Sequence, residues 1–318
     1  MDKHINEAPR TYVYGPVPSR RLGYSLGVDI LSPKTCTLDC IYCQLGSTPA
    51  QTIQRQGFVP QDIVLAQIQD AIRANKPIDY ITFSGSGEPT LNSEIGEMIH
   101  KIKTMTRIPV AVLTNATLLS QERVRRDLLE ADLVVPSLDA VIQTLFIKVN
   151  RPHASLKISD IIQGLKDFRK EFSGQIWLEI MLVRGVNDSP EHIQKLKKVV
   201  AEVRPDKIQL NTVIRPPADD AAQPLTFDEL SKIKTVLGER CEIIADFAKK
   251  EQPPHESSLE RAILTTVRRR PVTLSDMAVF LGRHPDEILK ILNRLLHEDR
   301  IRCVRHEGKI YYEPKGIH

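Results

Sequence analysis

The sequence predicts an α/β protein whose first 247 residues form an open, partial barrel of the (βα)6 type, followed by a small unit of short helices and a hairpin. Three observations predict it. Short β-branched runs alternate with longer amphipathic ones as far as Phe247, the pattern of βα units on a parallel sheet. Six or so such units are too few for a closed eightfold barrel and suit an open one. A polar, proline-broken stretch, 248–257, has the composition of an interdomain linker and sets apart residues 258–318.

In chain order, strands are expected near 25–31, 80–85, 109–115, 133–139, 176–182, 207–213 and 241–247, each a short apolar run. Helices fill the gaps at 62–75, 94–106, 121–131, 157–172, 190–203 and 227–239, where apolar residues recur every three or four positions. Two helix starts are marked chemically: Ser189 is an N-cap with Pro190 at the first helical position, and Thr226-x-x-Glu229 is a capping box. Beyond the linker, 259–267, 274–281 and 286–298 carry helical periodicity, with Gly282 at the turn between the last two. Residues 301–304 and 309–312 then form a hairpin around Glu307-Gly308.

A chain of 318 residues with 41% hydrophobic content suggests about two domains with ordinary cores. No run approaches the ~18 apolar residues of a membrane span, and Met1-Asp2-Lys3-His4 opens no secretory signal, so a cytoplasmic protein without membrane partners is expected. The formal charge of +4 is unevenly placed: residues 258–318 hold 12 Lys/Arg against 8 Asp/Glu, and the rest of the chain is balanced. An odd count of 5 cysteines argues against a disulfide framework. Cys241 and Cys303 lie in apolar stretches suited to inert thiols.

The other three cysteines form Cys36-x-x-x-Cys40-x-x-Cys43, with Tyr42 before the last. Thiolates this close converge on one metal centre, and iron–sulfur clusters are held at such spacings. A structural zinc site is the alternative, but it wants four protein ligands, and neither remaining cysteine nor any histidine sits at a finger-like spacing. Three ligands leave one iron open. The motif resembles the cluster loop of the radical S-adenosylmethionine (radical SAM) superfamily. That resemblance implies a 4Fe-4S cluster on Cys36, Cys40 and Cys43 whose unique iron is chelated by SAM, and a partial barrel around it. It also implies a low-potential electron donor of flavodoxin or ferredoxin type.

Chemistry in βα arrays gathers at the C-terminal strand ends, where this sequence places polar groups repeatedly. Ser84-Gly85-Ser86-Gly87-Glu88-Pro89 follows the second strand. It lacks the third glycine of a dinucleotide fingerprint, and the chain has no Gly-Lys-Ser/Thr phosphate loop. The segment is similar to the superfamily's Gly-Gly-Glu motif, which holds the SAM amino group, with Ser86 in place of the first glycine; a negative φ would accommodate it. By the same resemblance Gly85, Ser86, Gly87, Glu88, Asn115, Ser137 and Asp139 are candidate SAM contacts, with Tyr42 beside the cluster. Ser137 and Asp139 read equally as strand-end caps. Glu179, Gln209 and Asn211 stand at similar heights, while Arg184, Asn187 and Asp188 read as loop chemistry before a helix. Pro18-Ser19-Arg20-Arg21 is either a clamp on the cofactor carboxylate or a solvated arm.

From Tyr14-Gly15-Pro16-Val17-Pro18-Ser19-Arg20-Arg21 through Gln44-Leu45-Gly46 to Pro89-Thr90-Leu91 the chain resembles the branch grouped with the wyosine tRNA-base synthases. The archaeal members hold a second cluster on additional N-terminal cysteines, whereas no cysteine precedes Cys36 here. A single-cluster enzyme follows. The C-terminal order of elements resembles a winged helix-turn-helix, whose second helix normally enters a major groove. Lys290, Asn293, Arg294 and His297 face away from the stripe Ile288, Ile291, Leu292, Leu295, yet Asp286, Glu287, Glu298 and Asp299 dilute that face, so nucleic acid and protein are equal candidates as partners. Arg268-Arg269-Arg270 reads as a solvated helix end or a phosphate clamp. The expected function is cleavage of SAM and hydrogen abstraction from an RNA base, then a peptide or protein glycine, then a small metabolite. The alternative is an iron–sulfur sensor joined to a nucleic-acid-binding winged helix, with no turnover.

Overall fold

The computed structural model describes residues 11–19, 21–31, 34–244, 256–283 and 285–315. Four strands come first: β1 (Val13–Ser19), β2 (Gly23–Val28) and the two-residue β3 (Thr35–Cys36) and β4 (Ala50–Gln51). Then follow α1 (Gln61–Arg73), β5 (Tyr80–Phe83), a 3-10 turn at Pro89–Leu91, α2 (Ile95–Met105), β6 (Val110–Thr114), α3 (Glu122–Asp127) and β7 (Leu133–Pro136). The barrel is completed by α4 (Gln143–Asn150), α5 (Ile158–Glu171), β8 (Gln175–Leu182), α6 (Pro190–Val203), β9 (Lys207–Thr212), α7 (Phe227–Leu237) and β10 (Cys241–Ile243).

The main sheet has 8 strands in the order β1-β2-β5-β6-β7-β8-β9-β10. All neighbours are parallel except β1, which runs antiparallel to β2. The expected open α/β barrel is therefore present. Strand alternation sorts the apolar residues onto two faces. Leu26, Val28, Ile81, Phe83, Val112, Val134, Leu178, Ile180 and Leu210 point outward into the large core beneath the helices. Leu22, Ala111, Leu133, Val135 and Trp177 form a second cluster inside, with Tyr80 and Leu113 against it.

All seven expected strands exist, but those expected at 25–31, 80–85, 109–115 and 133–139 stop earlier, because Asp29, Gly85, Asn115 and Asp139 lie in rim loops. Residues 245–247 of the last expected strand and 248–255 of the linker lie outside the described residues. Ser189 caps α6, accepting from the His192 amide, and Thr226 and Glu229 form the expected capping box on α7. The helix expected at 121–131 is shorter, because the Leu128 amide turns back to Arg125 and Arg126. β1 and α4 were not expected.

Residues 256–315 contain α8 (Glu256–Arg269), β11 (Val272–Thr273), α9 (Leu274–Leu281), α10 (Pro285–His297), β12 (Ile301–His306) and β13 (Lys309–Pro314). The strands make an antiparallel sheet, β11-β13-β12. Leu259, Ile263, Val267, Met277, Ile288, Leu292, Leu295, Ile301 and Tyr312 give this unit its own core. Glu307 and Gly308, at φ 48° and 70°, make the hairpin turn with the positive φ that its two central residues require. Arg294 is not a free outward cation: it pairs with Glu260 of α8 at 2.5 Å. Among the described residues no helix is long and apolar enough to cross a membrane.

α5 holds the barrel wall where Gly164 lies against the backbone of the loop before α3; a Cβ there would sit 2.4 Å from the Ser120 amide nitrogen. Backbone cannot move aside as a side chain can. Gly164→Ala is therefore expected to lower unfolding free energy by about 1–3 kcal/mol, despite alanine's better helix propensity; urea denaturation of the two proteins checks it.

Candidate functional site

The three cysteines lie on the loop that follows β2, at the C-terminal rim of the parallel strands, and all are partly exposed. Neighbouring elements hold this loop by its backbone. Thr35 makes an isolated parallel bridge with Gly87, and its carbonyl accepts from the Glu88 amide at 3.1 Å. Asp39 and Ile41 donate to the carbonyls of Asn150 and Val149 at the end of α4, each at 3.0 Å. The Cys43 amide turns back to Cys40 at 3.1 Å.

Two side-chain amides donate to the sulfurs: Asn115 to Cys36 Sγ at 3.5 Å and Asn150 to Cys40 Sγ at 3.3 Å. Burial pushes the Cys36 thiol up to about 12, helped by the Glu88 charge, and raises Cys40 well above its ordinary 9.0. Ionising these thiols takes the positive charge of a metal centre. Among the described residues no three His, Cys, Asp or Glu side chains are grouped to hold a single metal ion. A cubane takes each thiolate on a different iron, so its ligands surround a cluster rather than one ion. The donor set, three thiols with amide donors to two of them, fits an iron–sulfur cluster.

The Gly85–Glu88 turn is shaped by contacts that exclude larger residues. Gly85 has φ +151°, and a Cβ there would lie 2.4 Å from Asp29 Cγ; at Gly87 it would lie 1.7 Å from the Thr35 carbonyl oxygen. Ser86 has no positive φ, as its side chain requires, and donates from its amide and hydroxyl to Asp29 Oδ2 at 3.2 and 2.5 Å. Glu88 is buried. Its Oε1 accepts from the Thr90 amide, the Thr90 hydroxyl and the Thr114 hydroxyl at 3.0, 2.6 and 2.6 Å, and its Oε2 from the Asn115 amide at 2.6 Å. Burial raises the Glu88 pKa while those bonds oppose the rise. Three donors thus meet Oε1 and one meets Oε2, and the carboxylate ties the second strand's loop to the third.

Asp139 plays the matching part further round the rim. It accepts from Tyr42 Oη, from Asn150 Nδ2 at 2.7 Å and from the Met181 amide at 2.9 Å. Burial lifts its carboxyl to about 6 against those hydrogen bonds. Asn115 is turned to the cluster loop, donating to Thr37 Oγ1 at 2.8 Å. A small cavity brings together Tyr42, Asn115, Ser137 and Asp139 with apolar Leu38, Leu138, Phe146 and Ile161. Behind Asp139 lies a buried pair, Asn187, which sequence reasoning took for loop chemistry, and His192, which it did not single out. Asn187 donates from Nδ2 to the carbonyls of Asp139 and Met181, both at 2.8 Å, and its Oδ1 accepts from the Val183 amide at 2.7 Å. His192 donates from Nδ1 to the Asn187 carbonyl at 2.5 Å and accepts at Nε2 from the Val141 amide at 3.2 Å.

Arg21 is not a solvated arm: its partner Glu179 is bridged to Ser137 of the rim. It is largely buried in the lumen, where it pairs with Glu179 at 2.7 Å; Asn211 donates to the other Glu179 oxygen at 2.9 Å, and Gln209 links on to Glu242 at 2.8 Å. Arg20 lies outside the described residues. Arg184 is drawn away to Glu229 by two bonds of 2.9 Å. Asn150 is the functional residue that sequence reasoning missed; it ends a helix of mixed periodicity, and only the fold brings it to Cys40.

A family model described as the radical SAM superfamily matches residues 30–196. Over 293 residues the chain is 36% identical to a Brachyspira hyodysenteriae protein named GTPase Obg, covering 91% of this chain but only 43% of that protein. It thus spans less than half of that relative, whose name attaches to the longer molecule. It is 31% identical over 309 residues to a UPF0026 protein of Methanocaldococcus jannaschii, covering 95% of each. In fold, a radical SAM methyltransferase from Sphaerobacter thermophilus is similar, with a TM-score of 0.54 at 18% identity over 69% of this chain and 65% of that one.

Burial holds the His192 pKa below its ordinary 6.5. The unfolded chain therefore gains a proton below that value which the native imidazole refuses, so this residue's stability contribution is full above pH 6.5 and is lost on acidification. The urea midpoint should fall as pH drops from about 7.5 to 5.5, and less steeply in His192→Gln.

Proposed function

The chain belongs to the radical SAM superfamily and is an enzyme, and from that premise we propose that its cluster loop and the Gly85–Glu88 turn form one SAM-cleaving site that acts on an RNA base. The observation that carries the site is the Thr35–Gly87 bridge. It fixes the Gly85–Glu88 turn beside Cys36, so a molecule held by one is held against the other. The family's cofactors are a 4Fe-4S cluster and SAM, and together they supply a 5′-deoxyadenosyl radical by one-electron reductive cleavage of the sulfonium.

The protein's own residues do the rest. Cys36, Cys40 and Cys43 hold the cluster, while the Asn115 and Asn150 amides donate toward two of the sulfurs and favour the reduced, more negative state. Gly85 and Gly87, without Cβ atoms, let the turn close against Asp29 and Thr35, and its backbone carbonyls are offered to the amino group at the methionyl end of SAM. Glu88 fixes that turn rather than reaching out from it. Ser137 and Asp139 offer oxygens to ribose hydroxyls, and Leu138, Phe146 and Ile161 supply an apolar wall for adenine. Tyr42 is locked by Asp139 and holds the cluster loop at its height. The apolar cluster around Trp177 keeps water from the lumen below.

The RNA base ranks first because the segments around Tyr14–Arg21, Gln44–Gly46 and Pro89–Leu91 resemble the wyosine-synthase branch. The order of helices and hairpin in residues 256–315, similar to a winged helix-turn-helix, supports a macromolecular partner. A peptide or protein glycine ranks next and a small metabolite last. A cytoplasmic setting and a flavodoxin- or ferredoxin-type donor complete the reading.

Reconstituted without oxygen and reduced with dithionite, the wild-type protein is expected to release 5′-deoxyadenosine from SAM, and Cys40→Ala to release none. A protein that binds cluster and nucleic acid but never cleaves SAM is a sensor, and the enzymatic reading fails. Turnover on a free metabolite, with none on RNA, removes the RNA assignment alone.

A further inference from the structure

We propose that Arg269, in the C-terminal unit, is a positioning residue for the SAM site of the barrel, acting through Asp29 on the Gly85–Ser86 turn. The inference rests on reading that turn as the seat of SAM. Sequence reasoning placed Arg269 on a solvated helix end or phosphate clamp. Instead, the last residue of α8 folds back onto the barrel.

Its guanidinium lies over the Tyr14 ring, 3.7 Å from the centroid, and Nη2 donates to the Thr11 carbonyl at 3.3 Å. Nη1 stands 3.6 Å from Asp29 Oδ2, the oxygen that accepts both the amide and the hydroxyl of Ser86. Its partners are also fixed in place. The Tyr14 ring fills the space beside Gly27, where a Cβ would come within 2.1 Å of it, and its hydroxyl is 3.1 Å from Ser84 Oγ. Asp29 is 7% exposed, and its Oδ1 also accepts from the Leu31 amide at 3.3 Å.

A buried carboxylate needs a cation or enough donors to stay ionised. Arg269 supplies charge to the one that shapes Gly85 and Ser86, and it does so from another unit of the chain. Its Nη1 is buried and finds no hydrogen-bond partner among the described residues, so at 3.6 Å its contact with Asp29 is one of charge. Removing it leaves Asp29 without its cation, and Ser86 loses a fixed acceptor. The same unit leans on the other side of the rim: Tyr311 donates to the Ile214 carbonyl at 2.5 Å, and the next residue, Arg215, donates to Gln44 beside Cys43 at 2.9 Å. The C-terminal unit thus braces the cofactor cradle from two directions.

The test uses the full chain with Arg269→Ala, Arg269→Lys, Asp29→Asn and the Arg269→Ala/Asp29→Asn double variant, and Arg268→Ala as an exposed neighbour. SAM affinity of the reconstituted protein is read by equilibrium dialysis, and amide hydrogen exchange over residues 84–88 is read on the cluster-free chain. Arg269→Ala is expected to weaken SAM binding about 5- to 20-fold and to speed exchange at Ser86, and Arg269→Lys to recover most of both. Arg268→Ala should match wild type, and the double variant should be no worse than the poorer single one. Wild-type affinity and exchange in Arg269→Ala overturn the proposal, as do additive losses in the double variant if Arg269→Ala unfolds locally. If the wild type itself binds no SAM, the reading of the turn fails, whereas faster exchange in Arg269→Ala still reports the mechanical link.

Discussion

Two buried carboxylates, each satisfied by donors from neighbouring strands, hold the working end of this protein together. Glu88 joins the loop after β5 to the end of β6, and Asp139 joins the end of β7 to β8, α4 and the cluster loop. A parallel sheet alone leaves its C-terminal loops independent. These acceptors make them one body. Each charge is buried at a cost, and hydrogen bonds to a charged group are worth about 1.5–3 kcal/mol apiece, so several together keep it ionised and make the arrangement difficult to deform. The cluster loop, with little regular structure of its own, gains its shape from them.

That rigidity matters for radical chemistry because the cofactor must meet its electron source in a fixed pose. Asn115 and Asn150 each serve two masters, a sulfur and an oxygen of the rim: Asn115 touches Cys36 and Thr37, and Asn150 touches Cys40 and Asp139. A shift in the loop would therefore be felt at the strand ends and the reverse. His192 and Asn187 carry the same constraint inward, fixing the carbonyls behind Asp139 where no solvent could stand in for them.

The sequence made the sheet legible because a parallel strand buried on both faces reads as a short apolar run, and the seven such runs are where the strands are. The caps at Ser189 and Thr226 were legible for a local reason, since their partners lie within three residues. What escaped was long-range. β1 is broken by Pro16 and Pro18 and pairs at an edge, so its pattern is weak. α4 ends in an asparagine whose target is 110 residues away, and Arg21 reaches a glutamate 158 residues on. The cysteine spacing named the cluster, and the polar strand ends marked the rim. Only folding revealed that Glu88 is held by Thr90, Thr114 and Asn115 and Asp139 by Tyr42, Asn150 and Met181, and that Arg269 turns inward.

The interior floor has a further consequence. Leu22, Leu133, Val135 and Trp177 close the barrel at the amino ends of its strands, with Lys207 set 4.2 Å over the indole. A plugged floor leaves the lumen accessible from the rim and along the flank where, among the described residues, β1 and β10 stay unpaired edges. A bulky molecule can thus offer one group to the interior while the rest of it remains outside.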